Sequence, residues 1–540
     1  MKHLIKIISV LLLMATAGTA MAYDFMVDDL AYSINDDGTT ATVTWTVYNN
    51  YGNYSGLTEA NIPPSVTHNG TTYSVTAIAE CAFEYATSMT SVTIPSSVTT
   101  IGDWAFAGCR KLTGAVIPRS VTTVGYDAFI MCPALNSLAV EAGNPLYDSR
   151  DGCNAIISTA DNTLLVGCNS TVIPTGVTMI GEDAFYGSGI TDIDIPSTVT
   201  KIDLLAFYES MALTTVRIPA SVVEIGKYAF QRCSALESIT IDSANPVYDS
   251  RDNCNAIIST ETNTMLYGSN NTVIPNTVTR IGEFCFSTMK SLKSLYIPAS
   301  VESIGWSIAS NCPSLESIVV DENNPYNYSS PDGCNAIIYA DRYLLVGCKN
   351  TIVPQSVTNI YSYAFSGCTS LTELTLPEGN NDFQIGYAAF SNCTSLRRIN
   401  IPSNTTTISD YAFMDCTALE RITSGISDVS AVTMGNYVFY NVPTSTCILE
   451  VPAGTVEMYR NAQYWKNFTN IVEHVDGLPG DVDGSGEVDG NDLNTLINII
   501  LGKADASNYN ANVDGQGGVD GSDINALINI LLGKSWIEWV

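Results

Sequence analysis

From Ile94 the sequence falls into a frame that restarts every 22–25 residues: IPSSVTTIGDWAFAGCRKLTGAV, then Ile117-Pro118 and the same order of residue types again. Restarts at Ile173, Ile195, Ile218, Ile274, Ile297, Val353, Leu376 and Ile401 keep Val, Ile-Gly, Ala-Phe, Cys and Leu at fixed offsets, and three steps of 56 residues interrupt the count. A unit this short cannot close a core by itself. Each must lay its apolar face on the next, so the chain grows as a solenoid of coils of about 23 residues. A length of 540 residues then need not mean several globular domains, because an array extends as one unit.

Within a coil, L-x-x-V/L-x-I alternates as a short strand, ended by a Pro that has no N–H to donate. V-x-x-I-G is a second extended piece that turns at Gly, and A-F-x-x-C-x-x-L has the 3–4 spacing of one or two helical turns. In register, Phe106, Phe129, Phe185, Phe207, Phe230, Phe365, Phe390 and Phe413 stack as a core spine. Cys109, Cys132, Cys233, Cys312, Cys368, Cys393 and Cys416 form a ladder at one frame position, which Ser188 and Ser210 fill in other coils. Parallel Cβ vectors in such a ladder bridge poorly, so these are read as free, buried thiols.

The 56-residue steps share one excursion, which leaves after Val140, Ile241 and Val320. It runs through Asn144-Pro145, Asn245-Pro246 or Asn324-Pro325, then CNAII from Cys153, Cys254 or Cys334, a polar turn and a second apolar run: a hairpin insertion. Cys153/Cys168 and Cys334/Cys348 stand at the hairpin ends and could pair. The middle copy sets Ser269 against Cys254, so the fold does not require a bridge, and the two pairings stay open. Residues 23–75 lie outside the frame; alternation over 41–48 and a turn at Asn69-Gly70 predict an N-terminal β cap. The solenoid then occupies 76–450.

Lys2 and Lys6 flank the apolar run Ile7 to Met14, and Ala20-Met21-Ala22 precedes Tyr23, which predicts a signal peptide over 1–22. The run is too short to span a bilayer and no other segment looks transmembrane, so no membrane insertion is expected after cleavage. The product is exported and extracellular or at the cell surface, with the periplasm as the other compartment. A net charge of −31 repels phosphate backbones and excludes nucleic acid as a partner. Beyond the signal peptide only His68 and His474 remain, and neither a Gly-rich phosphate loop nor G-x-S-x-G is present. The chain is read as no enzyme; a carboxylate pair for glycoside hydrolysis is the one formal catalytic alternative.

The frame IPxSVTxIGxxAFxxCxxL with its NPxY and CNAII excursions resembles the BspA-type bacterial leucine-rich repeat, and VPAGTVEMYRNAQYWKNFTNIVE (451–473) is similar to the segment closing those arrays. That resemblance implies a leucine-rich-repeat solenoid, β-rich with short helical turns, and a C-terminal cap over 451–474 in which Tyr459, Trp465 and Phe468 cover the last coil. It also implies an exported surface protein that binds or adheres through the solenoid to a protein or glycan ligand. The outward strand row, including Asp192, Asp194, Arg217, Tyr296, Arg398 and Arg421, is a candidate contact surface, and the excursions are an equal one.

After a linker over 475–480 a different repeat appears at a spacing of 31. DVDGSGEVDGND (481–492) leads into LNTLINIILGK, and NVDGQGGVDGSD (512–523) into INALINILLGK. Leu493, Leu496, Ile497 and Ile500, and Ile524, Leu527, Ile528 and Leu531, each mark one apolar helix face. A hard cation takes six to eight oxygens, and a twelve-residue loop supplies them from positions 1, 3, 5, 7, 9 and 12. Here these are Asp481, Asp483, Ser485, the Glu487 carbonyl, Asp489 and Asp492, and then Asn512, Asp514, Gln516, the Gly518 carbonyl, Asp520 and Asp523. Two calcium sites are expected, the second weaker because it holds three carboxylates against four. The paired loop–helix units resemble the type I dockerin domain, although Ser485, Asn512 and Gln516 depart from its usual ligands. The resemblance implies a small all-α calcium-binding dockerin-like domain over 481–535 that docks a cohesin-like partner, centred on Gly490, Asn491, Gly521 and Ser522. Because dockerins mostly serve polysaccharide breakdown, a component of a polysaccharide-degrading assembly is the alternative to an adhesin.

Overall fold

A computed structural model describes residues 23–47, 53–379, 382–473, 481–483, 485, 487–503, 513, 519 and 521–531. The expected signal peptide and the linker 475–480 lie outside the described residues.

The solenoid read from the period is present, and three ladders hold its coils together. In the first, short parallel strands such as Asp192–Asp194, Thr215–Ile218 and Ser238–Ile241 pair in the register Ile193↔Val216↔Ile239. Those three side chains are buried, while Asp192, Asp194 and Arg217 face solvent. In the second, Met179–Ile180, Lys201–Ile202 and Glu224–Ile225 pair as Ile180↔Ile202↔Ile225.

The third ladder is the A-F-x-x-C stretch, which differs from a helix. The turns expected from its spacing are there: Ala105 N donates to Gly102 O, and Ala107 N to Trp104 O at 3.0 Å. The N–H groups between them leave the coil, Phe106 N to Ala128 O at 2.8 Å and Gly108 N to Ile130 O at 2.9 Å. A residue at positive φ in each turn, such as Trp104 (52°) or Asp127 (56°), rotates alternate amides toward the neighbouring coil. The Gly of V-x-x-I-G serves proximity rather than turning. A Cβ on Gly125 would lie 2.3 Å from both Gly102 C and Asp103 N of the preceding coil.

The Phe spine stacks with centroids 4.9–5.3 Å apart and planes within 14°, and Phe83 extends it at the N-terminal end. The Cys ladder has a role beyond size. The thiols of Cys109, Cys233, Cys312, Cys393 and Cys416 each donate to the carbonyl of the spine residue one coil earlier at 3.0–3.1 Å, and Ser210 Oγ does the same to Phe185 O at 2.7 Å. The position asks for a small side chain that donates one hydrogen bond, which is why Cys and Ser exchange there.

All fifteen thiols are free and buried. The two open pairings are unmade: Cys153 Sγ faces Ala155 O at 3.9 Å and Cys168 Sγ faces Asn154 O at 3.2 Å. Burial pushes the thiols of Cys132, Cys233 and Cys312 up to about 12. Since the thiolate is the reactive form, the native chain should give essentially no colour with a thiol-disulfide reagent at pH 8. All fifteen cysteines should titrate once it is unfolded without reductant. A count of thirteen or fewer in the unfolded chain would reveal a bridge.

The excursions are built into the array rather than projecting from it. Thr163–Gly167 pairs antiparallel with Ala155–Ser158 and parallel with Met179–Ile180 of the next coil, so the hairpin takes a place in the second ladder. Its neighbouring isoleucines face opposite ways: Ile156 belongs to the core before it and Ile157 to the core after it. Ile257/Ile258 and Ile337/Ile338 divide the next cores likewise. The Asn-Pro motif is a tether. Asn144 Nδ2 donates to Val121 O at 2.7 Å, and its Oδ1 accepts from the amides of Leu146 and Tyr147 at 2.9 Å. Tyr147, Tyr248 and Tyr328 then accept the amides of Val124, Ile225 and Ile304 at 3.1–3.2 Å, closing what would be open strand edges.

Over residues 23–78 the strands Phe25–Val27, Leu30–Ile34, Thr40–Thr44 and Thr71–Ile78 build a sheet onto the first coils, with the hairpin at Asn69-Gly70. At the other end Tyr459, Trp465 and Phe468 are buried over the last coil. In the tail, helices Gly490–Ile500 and Gly521–Leu531 share a small core of Val482, Leu496, Ile499, Val513 and Leu527. The buried stripe runs through Ile499 rather than Ile500, which leaves Ile500, Ile528 and Leu531 exposed. Among the described residues no helix is long and apolar enough to cross a membrane.

Candidate functional site

The first tail loop folds back on itself through Asp492. This fully buried carboxylate accepts the amides of Val482 at 2.8 Å, Asp483 at 3.1 Å and Asp489 at 2.6 Å, joining the end of the loop to its start. Oxygens of Asp481, Asp483 and Asp492 thereby lie within 4.8 Å of one another. Three carboxylates so close repel unless a cation or proton sits among them, and an all-oxygen set suits a hard divalent ion. Ser485 Oγ donates to the Glu487 carbonyl at 3.2 Å, so positions 5 and 7 point to the same place. The Glu487 carboxylate turns away to Arg398 at 3.1 Å. Asp489 stands outside the carboxylate group and caps the helix, accepting from Asn491 N at 2.6 Å. Gly490 and Asn491 are exposed. In the second loop Asp523 is buried like Asp492, and Gly521 opens its helix. Asn512, Asp514, Gln516, Gly518 and Asp520, and the side chain of Ser522, lie outside the described residues.

On the solenoid, the outward strand row is tied up in ion pairs between coils. Arg217 contacts Asp194 at 2.8 Å and Asp192 at 3.4 Å, and Arg421 meets Glu450 at 3.3 Å. The carboxylates of Asp127 and Asp183 line a cleft of about 450 Å³ at the first excursion. Burial first, then Asp183, pushes Asp127 well up, and Tyr126 donates to Asp183 at 2.5 Å. Trp104 Nε1 in turn donates to Asp127 at 3.1 Å, so each carboxylate of the cleft is held by a side chain of the turn edge.

The aromatic residues gather elsewhere, on the turn edge. One of the two residues after I-G (or its equivalent) is aromatic in each coil from Tyr228 onward: Tyr228, Phe284, Trp306, Tyr363, Tyr387, Tyr411 and Tyr437. Successive ring centroids lie 4.5–6.3 Å apart, and the row crosses the second and third excursions without a break. A strand-centred reading missed it, although the offset from Gly was visible in the sequence.

Coils of this length, joined by two strand ladders and a turn ladder around a Leu/Ile/Phe core, define a leucine-rich-repeat solenoid. The family model for the BspA type leucine rich repeat region matches in six copies over residues 64–147, 165–254, 257–330 and 337–468, and the chain belongs to that family. Among solved structures it is similar to a leucine rich cell surface protein from Faecalibacterium prausnitzii A2-165, with 29% identity over 77% of this chain and 99% of that one and a TM-score of 0.40. A leucine-rich repeat protein from Bacteroides ovatus ATCC 8483 shares 25% identity over 84% and 100% of the two chains, TM-score 0.31. The pneumococcal vaccine antigen PcpA shares 16% over 85% and 100%, TM-score 0.32. Among curated proteins none matches.

Proposed function

We propose that the chain is an exported, non-catalytic binding protein of the cell surface or its surroundings. Its solenoid holds a protein or glycan ligand, and its tail, folded around two calcium ions, attaches it to a cohesin-like partner. Membership of the BspA-type family supports the first half. The meeting of Asp481, Asp483 and Asp492 in the first loop carries the second. Docking is supported by the exposed apolar residues at equivalent places on the two helices, Ile500 and Leu531. Calcium bound only by the folded tail, at a free concentration 100 times its Kd, adds about 2.7 kcal/mol to the tail's stability. In the full mature chain, amide protection over 490–500 should therefore drop about a hundredfold on chelation, and Asp481→Ala with Asp492→Ala should show the low value with calcium present. Protection indifferent to chelator in the wild type would end the calcium reading. A pull-down with and without calcium separates a tail partner, captured only with the ion, from a solenoid ligand captured either way.

A further inference from the structure

The aromatic row on the turn edge is not something the backbone demands. Tyr228, Phe284, Tyr363, Tyr411 and Tyr437 sit at φ of 55–63°. Bulky residues are disfavoured there, and Gly, Asn and Asp are preferred. The coils at Asp183 and Leu205 make the same turn at φ 56–57° with no ring at either place, so the turn forms without one, while Trp104 and Tyr126 form a separate ring pair in the first coils. Strain retained in coil after coil, where a cheaper residue fits, points to a use for the rings themselves. Three of them are open to solvent, Tyr437 at 56%, Trp306 at 40% and Tyr387 at 39%, while Tyr228, Phe284, Tyr363 and Tyr411 between them are half-buried. Four residues on from the first left-handed residue of each coil, the second one is Thr288, Asn311, Asn392 or Asn441 in four coils and Arg232, Gly367 or Asp415 in the others.

We infer that this edge, from Tyr228 to Tyr437, is a binding platform for a linear, uncharged polysaccharide. The inference rests on the reading of the solenoid as a binding module and names its site and ligand class. A pyranose offers a flat C–H face to the electron-rich face of an aromatic ring and hydroxyls to flanking amides. The last four rings recur every 5.3–5.5 Å, Tyr387 edge to face with Tyr363 and Tyr411 and Tyr411 stacked on Tyr437, a spacing on the scale of one sugar unit. Anionic polymers are repelled by a chain of net charge −31.

The test is native electrophoresis of the full mature chain through gels containing barley β-glucan, or xyloglucan or galactomannan, whose backbones are linear. At least one should retard the wild type. Trp306→Ala, Tyr387→Ala and Tyr437→Ala combined should weaken that retardation at least about tenfold. Lys111→Ala, exposed in an early coil away from the row, should leave it unchanged. Tyr437→Ala alone, at a ring more than half exposed, should weaken it about threefold, which keeps the test sound if the triple variant does not fold. No retardation in any gel, or equal retardation of the variants, overturns the inference. So does a polyproline peptide that binds the row in place of the glycans, and that result, like capture of a protein ligand by wild type and triple variant alike, leaves the binding-module reading standing.

Discussion

Phe207→Ala is expected to cost about 3–5 kcal/mol of local unfolding free energy, the range for truncating a buried Phe. The ring is fully buried between Phe185 at 4.9 Å and Phe230 at 5.1 Å, both nearly parallel to it, and the Cys233 thiol donates to its carbonyl. Truncation removes two stacking contacts, worth about 0.5–1.5 kcal/mol each beyond burial, and leaves a void that rigid coils on either side cannot fill. Coils touch only their neighbours, so the loss should be regional. Hydrogen exchange is the suitable measurement, because a long array need not unfold in one step. Protection should collapse over roughly 180–240 and hold over 385–450. A loss below about 1 kcal/mol, or one spread evenly along the chain, would contradict the spine as the main packing element.

Gly125→Ala should be as damaging for the opposite reason. The added methyl would lie 2.3 Å from backbone atoms of Gly102 and Asp103, which cannot swing aside as a side chain can. Overpacking a core typically costs about 1–3 kcal/mol, and a clash against backbone belongs at or above the top of that range. Gly143→Ala is the control. That glycine has a positive φ of 89° but nothing within 4 Å of its Cβ position, so only the conformational cost of about 1 kcal/mol applies. The melting temperature should fall several degrees further for Gly125→Ala than for Gly143→Ala, and equal falls would mean the coils can separate to admit a methyl.

Much of this was legible because a repeat multiplies every signal. Ile193, Val216 and Ile239 could be placed inward from alternation alone, and Phe207 in the spine from its offset. Other features escaped for definite reasons. The A-F-x-x-C spacing is shared by a helix and by a run of turns; what separates them is a positive φ at residues such as Trp104, which a Trp does not advertise. Gly125 looked like a turn residue because closeness between coils leaves no local trace. Cys and Ser at one position showed a buried ladder, while the property they share, a donated hydrogen bond to a spine carbonyl, appears only in the packed coils. In the tail, Ile499 and Ile500 satisfy a helical stripe almost equally, and only packing against the second helix decides between them.

The paired isoleucines of the hairpins have a consequence for how such a chain can change over generations. Because Ile156 completes one core and Ile157 begins the next, and Ile257 and Ile258 repeat the arrangement, the stretch between is closed at both ends by equivalent surfaces. A recombination between two hairpin copies would add or remove one whole segment while leaving every remaining core with its proper walls. Length, and with it the number of rings along the edge, can therefore be inherited in discrete instalments rather than residue by residue.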